Sequence, residues 1–164
     1  MDWQIPLLVS AVTFAAFLIF RVRPAVTPRA RATAAALTGA KKRIEEAKDD
    51  AARAIALADA ADACAALGRT NGAVGYYLRA LRSDPRSTRI VERTAAGLAR
   101  RPGALERLMW RHLAVHSWEG EHRDAALASL RALAGVYAGR RRHRLRAEAI
   151  AHALAALDAE RSGG

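Results

Sequence analysis

The stretch that decides the fold runs from residue 54 to residue 87 and reads AIALADAADACAALGRTNGAVGYYLRALRSDPRS. Leu57, Ala61 and Cys64 recur at spacings of four and three, which places them on one face of a helix. Gly68 follows this face and favours the end of the helix, because glycine adopts the left-handed conformation of a helix cap without strain. The first half of the stretch therefore predicts an amphipathic helix that ends in a tight turn.

A second apolar face follows the turn. Ala73, Tyr77 and Ala80 lie at helical spacing. Pro85 ends the pattern, because proline lacks the backbone N–H and clashes with the preceding turn. Small side chains on both helices permit a close approach of the two backbones, and the larger Tyr77 fills the remaining space. The stretch thus predicts a helical hairpin held together mainly by alanines.

These residues give the hairpin the pattern of a known family. It resembles the tetratricopeptide repeat, a 34-residue helix–turn–helix motif. The small, aromatic and proline positions of that motif are occupied here, in chain order, by Ala61, Ala73, Tyr77, Ala80 and Pro85. Leu57 and Cys64 stand where the family usually has large aromatic residues in its first helix. The resemblance covers about a fifth of the chain.

The resemblance implies a mode of action. Tetratricopeptide domains receive a helix or an extended peptide from another protein, in a groove lined by the first helix of each repeat. Matching the family's positions residue by residue, we expect this groove to be lined by Ala58, Asp62 and Ala65, with Arg69 at its rim. An apolar face of the partner would be buried in the groove, and arginines would orient an acidic partner.

Composition favours a helical chain. Of its 164 residues, 52% are apolar and only 5% are aromatic, and much of the apolar share is alanine. No sustained run of alternating β-branched residues occurs, so we predict an all-α fold. The single cysteine, Cys64, excludes an intrachain disulfide and a zinc site built from several cysteines. The net charge of +11 favours anionic partners.

The N-terminal segment is apolar from residue 5 to residue 20 except for Ser10 and Thr13. A helix from Trp3 to Phe20 would be roughly 27 Å long at about 1.5 Å per residue, close to the bilayer core of about 30 Å. We therefore predict a transmembrane anchor over residues 1–23. A buried helix and a signal peptide are the alternatives, but the basic start of a signal peptide is missing. The predicted anchor residues are Trp3, Leu7, Leu8, Val12, Phe14, Phe17, Phe20, Arg21 and Arg23.

The charges that flank this segment predict its orientation. No lysine or arginine precedes it, whereas Arg21, Arg23, Arg29 and Arg31 follow it directly and Lys41, Lys42 and Arg43 come next. The positive-inside rule then places the N-terminus outside and the C-terminal domain in the cytoplasm, as in a single-pass membrane protein. We interpret residues 24–50 as a linker and a basic helical stalk, whose helix runs from Ala40 into the first repeat.

Two further hairpins are predicted downstream. A helix capped by Ser87 or Thr88 is broken at Arg101-Pro102-Gly103, and a second helix follows from about Ala104; this pair has the length of a repeat but few of its key residues. Residues 124–160 form a third pair of helical patterns. Residues 51–160 would then build a short solenoid of the tetratricopeptide type, in which each hairpin buries its apolar face on the next. Residues 161–164 are predicted to be a disordered tail.

No catalytic signature is present. The sequence has no glycine-rich phosphate loop, no nucleophile elbow and no cysteine–histidine signature, so we predict neither an enzyme nor a cofactor. His112 and His116 lie one helical turn apart, a spacing that can grip zinc or copper with a third ligand. They lack the intervening glutamate of the metalloprotease pattern. We interpret them as a solvated helix face without a metal.

Residues 140–146 form the most basic run of the chain. Cations at the start of a helix oppose its dipole, which indicates an anionic partner, and a solvated loop between two helices is the alternative. The run has no aromatic side chains on which bases would stack, so nucleic acid is not the expected partner, whereas acidic lipid is compatible with it. The residues expected to contact an anion are Arg140, Arg141, Arg142, Arg144 and Arg146.

Two functional hypotheses follow from these patterns. The first is a membrane-anchored helical-repeat adaptor, an assembly factor or accessory subunit that binds a partner protein of a membrane complex at its cytoplasmic face. The alternative is a basic, membrane-tethered module that binds anionic lipid or nucleic acid through its arginines. Salt distinguishes them, because phosphate-driven binding weakens steeply as salt rises, whereas a peptide bound in a groove is expected to stay.

Overall fold

The computed structural model describes residues 9–14, 17, 28–138 and 141–162, and every regular element among them is a helix. The chain divides into two compact units, residues 1–32 and residues 33–164. The second unit holds the apolar core. The all-α prediction is therefore confirmed for the part of the chain that the structure describes.

Between residues 28 and 162, the described helices follow one another with short connections. They are α1 (Pro28–Glu46), α2 (Asp50–Ala66), α3 (Thr70–Ser83), α4 (Thr88–Gly97), α5 (Pro102–Val115), α6 (Arg123–Tyr137) and α7 (Arg144–Ser162). Short 3-10 helices, Gly120–His122 and Arg141–His143, precede α6 and α7. Helix α7 therefore continues through the first two residues of the predicted tail.

Helices α2 and α3 form the hairpin predicted for residues 54–87, and they have the most extensive contact in the fold. Ala61, Ala73 and Ala80 are all buried, so little side-chain bulk separates the two backbones. Gly68 follows the first helix at a φ of +72°, a conformation that favours glycine. The alanine pattern and the glycine together account for this hairpin.

The later helices add to the hairpin in alternation. Helix α4 contacts both α2 and α3, and α6 contacts α4, α5 and α7. Helices α2, α4 and α6 therefore lie side by side, and we call them the inner row. Helix α6 is the most enclosed of the three, since every residue from 125 to 130 is buried.

Helices α4 and α5 do not form the second hairpin that the sequence predicts. They make few close contacts with each other, and each packs on α6 instead. The side chains that α4 and its C-cap bury, Ile90, Val91 and Leu98, are larger than the alanines of the first hairpin. Larger side chains keep helix backbones further apart, so the two helices pack mainly on their neighbours.

The predicted transmembrane anchor over residues 1–23 is wrong, because no helix in the described part of the chain is long and apolar enough to cross a membrane. A span requires about 20 apolar residues in one continuous helix. Residues 9–14 and 17 are helical, and three predicted anchor residues among them, Val12, Phe14 and Phe17, are exposed. The other predicted anchor residues lie outside the described residues: Trp3, Leu7, Leu8, Phe20, Arg21 and Arg23. The single-pass topology and the membrane location rested on this anchor and are withdrawn with it.

The region interpreted as a stalk is partly a component of the core. Helix α1 buries Leu37 and Ala40 in the same apolar cluster as the first hairpin. The helix predicted to run on from Ala40 into the repeat stops before Asp49. Asp49 accepts a hydrogen bond from the amide of Ala52 at 2.6 Å and so starts a new helix.

Candidate functional site

The four residues predicted to line a peptide groove have different environments. Ala58 is completely buried, so it belongs to the core and offers no surface to a partner. Asp62 is half-buried, and its carboxylate is hydrogen-bonded within the protein. Ala65 is half-buried and Arg69 is exposed. Of the four, Ala65 and Arg69 are therefore the ones placed to contact a partner directly.

Asp62 belongs to a polar network that joins four helices. The Tyr77 hydroxyl of α3 donates a hydrogen bond to Asp62, and Arg93 Nε of α4 donates to Asp62 Oδ2 at 3.1 Å. Arg93 Nη2 also donates to Asp59 Oδ1 at 2.7 Å. Asp59 Oδ2 in turn accepts from Arg43 Nη2 of α1 at 2.9 Å. We call these five residues the first clamp, because they tie α1, α3 and α4 to carboxylates of α2.

Tyr77 anchors the first clamp from inside the core. Its side chain is fully buried. Burial and the hydrogen bond to Asp62 raise the pKa of the Tyr77 hydroxyl above its ordinary value, so the hydroxyl stays a neutral donor at physiological pH. Gly97 of α4 makes room for it, since a Cβ at position 97 would lie 1.9 Å from Tyr77 Oη. The first clamp therefore depends on a glycine that the sequence pattern does not single out.

A second network repeats this chemistry in the C-terminal half. The Tyr137 hydroxyl of α6 donates to Glu106 Oε1 of α5 at 2.6 Å, and Arg146 Nη1 of α7 donates to the same oxygen at 2.8 Å. Trp110 Nε1 donates to Tyr137 Oη at 3.0 Å. We call these four residues the second clamp. In both clamps a buried tyrosine and an arginine from the next helix bind one carboxylate, so both join helices within the fold.

The basic run near residue 140 is only partly available to an anion. Arg140 and the side chain of Arg141 lie outside the described part. Arg144 forms an ion pair with Glu148 at 2.8 Å, and Arg146 is engaged in the second clamp. Arg142 is exposed. Two of the five predicted arginines thus have carboxylate partners within the chain.

The turns from α2 to α3 and from α4 to α5 lie along one edge of the fold, together with the C-terminal end of α6. Two open troughs show this arrangement. The first, with a volume of about 520 Å³, is lined by residues of the first two turns, including Ala66, Gly68, Ala96 and Arg101. The second, of about 460 Å³, is lined by residues around the second turn and at the C-terminal end of α6, including Ala99, Pro102, Gly135 and Ala138. We call this edge, with its two troughs, the turn edge.

The turn edge carries arginines without carboxylate partners. Arg69, Arg100, Arg101 and Arg142 are exposed, and none of them forms an ion pair with any residue that the structure describes. The opposite edge, where the helices of the inner row begin, is rich in carboxylates: Asp49, Asp50, Asp84, Glu119, Glu121 and Asp124. Arg86 bonds Glu121 there at 2.7 Å, and the exposed Arg53 and Arg89 lie in the first turns of α2 and α4 at the same edge. Carboxylates are therefore concentrated at one edge, whereas arginines occur at both.

Three histidines cluster where α5 leads into α6. The ring centroids of His112 and His116 are 5.3 Å apart, and those of His116 and His122 are 5.4 Å apart. Burial, followed by the neighbouring His116 and His122, lowers the pKa of His112 to about 4. His112 is therefore buried and neutral at pH 7, instead of lying on the solvated face that the sequence indicated. Within the described residues, no group of three or more side chains is arranged to hold a metal ion.

Comparisons of the chain with protein-family models, with curated proteins and with solved structures found no match. The resemblance to the tetratricopeptide repeat therefore stays a prediction from the sequence.

The sequence patterns single out Arg69 and Arg142 of the turn edge but not Arg100 and Arg101. Arg100 and Arg101 precede Pro102, in a segment whose pattern indicates only a helix break. A weak signal was available, because each of the three predicted intra-hairpin turns contains arginine. The partners of Arg93 in the first clamp, Asp59 and Asp62, lie 34 and 31 residues away in the chain, so no local pattern indicates them.

Proposed function

We propose that this protein is a helical-repeat interaction module that binds a segment of another protein at the turn edge. The observation that supports this most directly is the pair of open troughs, of about 520 and 460 Å³, between successive helices of the inner row. Alanines and glycines supply much of their lining, so the backbone of a bound segment can approach the helices closely. Concave sites of this size are typical of ligand-binding surfaces.

The two clamps explain how such a surface would be kept ready for binding. The first clamp joins α4 to the first hairpin, and the second joins α7 to α5 and α6. Rigid elements bind at lower entropic cost than elements that must be ordered on binding. The turn edge would thus act as a preformed surface, against which the partner segment buries small apolar side chains.

Purification of full-length protein with its partners tests this proposal. The complex is washed with nuclease and then with high salt, and the proteins that remain in stoichiometric amount are identified. The purified partner is then titrated against Ala66→Trp and Ala96→Trp, which fill the first trough from exposed positions. The matched control is Ala155→Trp on the exposed face of α7.

We expect the partner to stay bound through both washes. We also expect it to bind the two trough variants much more weakly than the control variant. Equal binding by all three variants would place the contact elsewhere on the molecule. If no protein remains stoichiometric after the washes, the proposal of a protein-binding module is wrong.

A further inference from the structure

We propose that the segment bound at the turn edge is acidic and extended, with carboxylates spaced to meet the arginines of successive turns. This inference rests on the proposed function, because it specifies the chemistry of the segment that the same edge would bind. The occupant is thus a stretch of a partner protein rich in Asp or Glu, with small apolar residues between the acids.

Charge is the first argument. Arg100 and Arg101 line the first trough, and Arg69 lies between two residues that line it, Gly68 and Thr70. All three arginines are exposed, and no described carboxylate neutralises them. A guanidinium presents a planar fork of donors that matches a carboxylate in a bidentate pair. The rim of this trough therefore complements an acidic ligand.

The helix ends at this edge add positive electrostatic potential beside the three arginines. Arg69 and Arg101 are the N-cap residues of α3 and α5, and neither side chain caps its helix. Pro102 has no N–H and the N–H of Thr70 donates to the Gly68 carbonyl, but the N-terminal end of each helix still carries partial positive charge. A carboxylate bound by either arginine would lie close to such a helix start.

The spacing of the helices sets the length of the segment. Neighbouring helices of the inner row are separated by about 8–10 Å in typical packing, so the row of three spans roughly 20 Å. An extended chain advances about 3.3 Å per residue, and about six residues therefore cross the turn edge. Alternate side chains of an extended segment point the same way, which lets acids meet the arginines while small apolar residues enter the troughs.

The lining of the troughs favours a protein segment over a nucleic acid. A single strand of nucleic acid is normally held by bases stacked on aromatic side chains, in addition to its phosphates. None of the residues that line the two troughs is aromatic. Alanines, glycines and a leucine contribute to the lining instead, and these fit small aliphatic side chains.

Fluorescence anisotropy with the full chain tests the inference. The probe is a labelled peptide of about ten residues that alternates Glu with Ala. The comparison probes are the same peptide with Gln in place of Glu and a single-stranded thymidine decamer. We expect the acidic peptide to bind the wild-type protein, and the Gln peptide to bind at least about tenfold more weakly, since it lacks the charge-assisted bonds.

Two triple variants with the same change in net charge distinguish binding by the arginines of the turn edge from binding by the overall positive charge of the protein. The first variant replaces Arg69, Arg100 and Arg101 by Ala. The control replaces Arg53, Arg89 and Arg107 by Ala, and these three arginines are exposed elsewhere on the molecule. We expect the first to weaken binding of the acidic peptide about tenfold and the control to change it less than about twofold.

Several outcomes would overturn the inference. They are undetectable binding of the acidic peptide, equal losses in the two triple variants, and tighter binding of the thymidine decamer through the same three arginines. The purified natural partner then distinguishes this failure from a failure of the proposed function. A partner that is lost in Ala66→Trp but keeps its affinity in the arginine variant refutes the acidic segment and leaves the protein-binding module standing.

Discussion

The first and second clamps use the same chemistry in different surroundings. In the first, the Arg93 side chain is 23% exposed and bridges two carboxylates. In the second, the Arg146 side chain is 59% exposed and binds one carboxylate. The first clamp ties down a hairpin of alanines, which bury little apolar area each, whereas the second joins helices that bury leucines and a methionine. The arginine is therefore more enclosed in the first clamp, whereas the carboxylate is more enclosed in the second, since Glu106 is 21% exposed and Asp59 and Asp62 are 32% and 43% exposed.

The largest expected effect is a loss of stability in acid. It belongs to the C-terminal region, because His112 is buried there. Burial and the neighbouring His116 and His122 lower its pKa from about 6.5 to about 4. The folded state then binds fewer protons than the unfolded state, so this stability is fully present above about pH 6.5 and is lost as the pH falls towards about 4. The free energy of unfolding should fall by up to about 3 kcal/mol over this range.

Urea unfolding measured at intervals between about pH 7 and pH 4 checks this expectation. His112→Leu should flatten the pH dependence, since the variant has no proton to bind at this position. The exposed His152 supplies the control, and His152→Leu should keep the wild-type slope. A slope that survives in His112→Leu would assign the acid sensitivity to other groups.

The next largest effect should come from Gly97, which the first clamp requires. A Cβ at this position would lie 1.9 Å from Tyr77 Oη, so Gly97→Ala has to displace a buried side chain. We expect a loss of about 2 kcal/mol, as in other overpacked cores. Gly135→Ala is the matched change in the C-terminal region, where nothing lies within 4 Å of the added Cβ. Thermal unfolding of both variants makes the comparison, and equal melting temperatures would contradict it.

Removing the arginine of each clamp tests whether the more exposed arginine contributes less to the free energy of unfolding. Arg93→Ala leaves Asp59 and Asp62 without their shared partner, and we expect it to cost about 1.5 kcal/mol. Arg146→Ala removes a more exposed arginine and should cost less than about 1 kcal/mol. Chemical denaturation of the two variants under one buffer condition gives both values. The reverse order would mean that exposure does not govern the strength of the clamps.

The smallest effect should come from the tyrosine hydroxyls. Tyr77→Phe keeps the buried ring and removes the hydrogen bond to Asp62, which should cost about 1 kcal/mol. Tyr137→Phe also removes the acceptor of Trp110 Nε1, so its cost should be slightly larger. Unfolding in urea resolves the two variants. A Tyr77→Phe variant more stable than the wild-type protein would show that the hydroxyl destabilises the first hairpin.

The sequence predictions are more accurate where the interacting residues are close to each other in the chain. The first hairpin was predicted well, because Ala61, Ala73 and Gly68 act within about 20 residues of one another. The second hairpin was predicted from the same periodicity, but α4 and α5 make few close contacts with each other, and each packs on α6. The groove residue Ala58 was chosen by family position, and the packing of α2 buries it.

The sequence by itself determined that the chain is helical, where the first hairpin turns, and that the protein carries a surplus of arginine. These properties depend on local spacing and on composition, which a linear reading contains. The tertiary structure alone decided which arginines are neutralised and which remain open. Arg93 and Arg146 meet carboxylates 31 to 40 residues away, whereas Arg69, Arg100 and Arg101 converge on one edge without any described partner. The physical reason is that electrostatic pairing depends on distance in space, and only the packed helices set that distance.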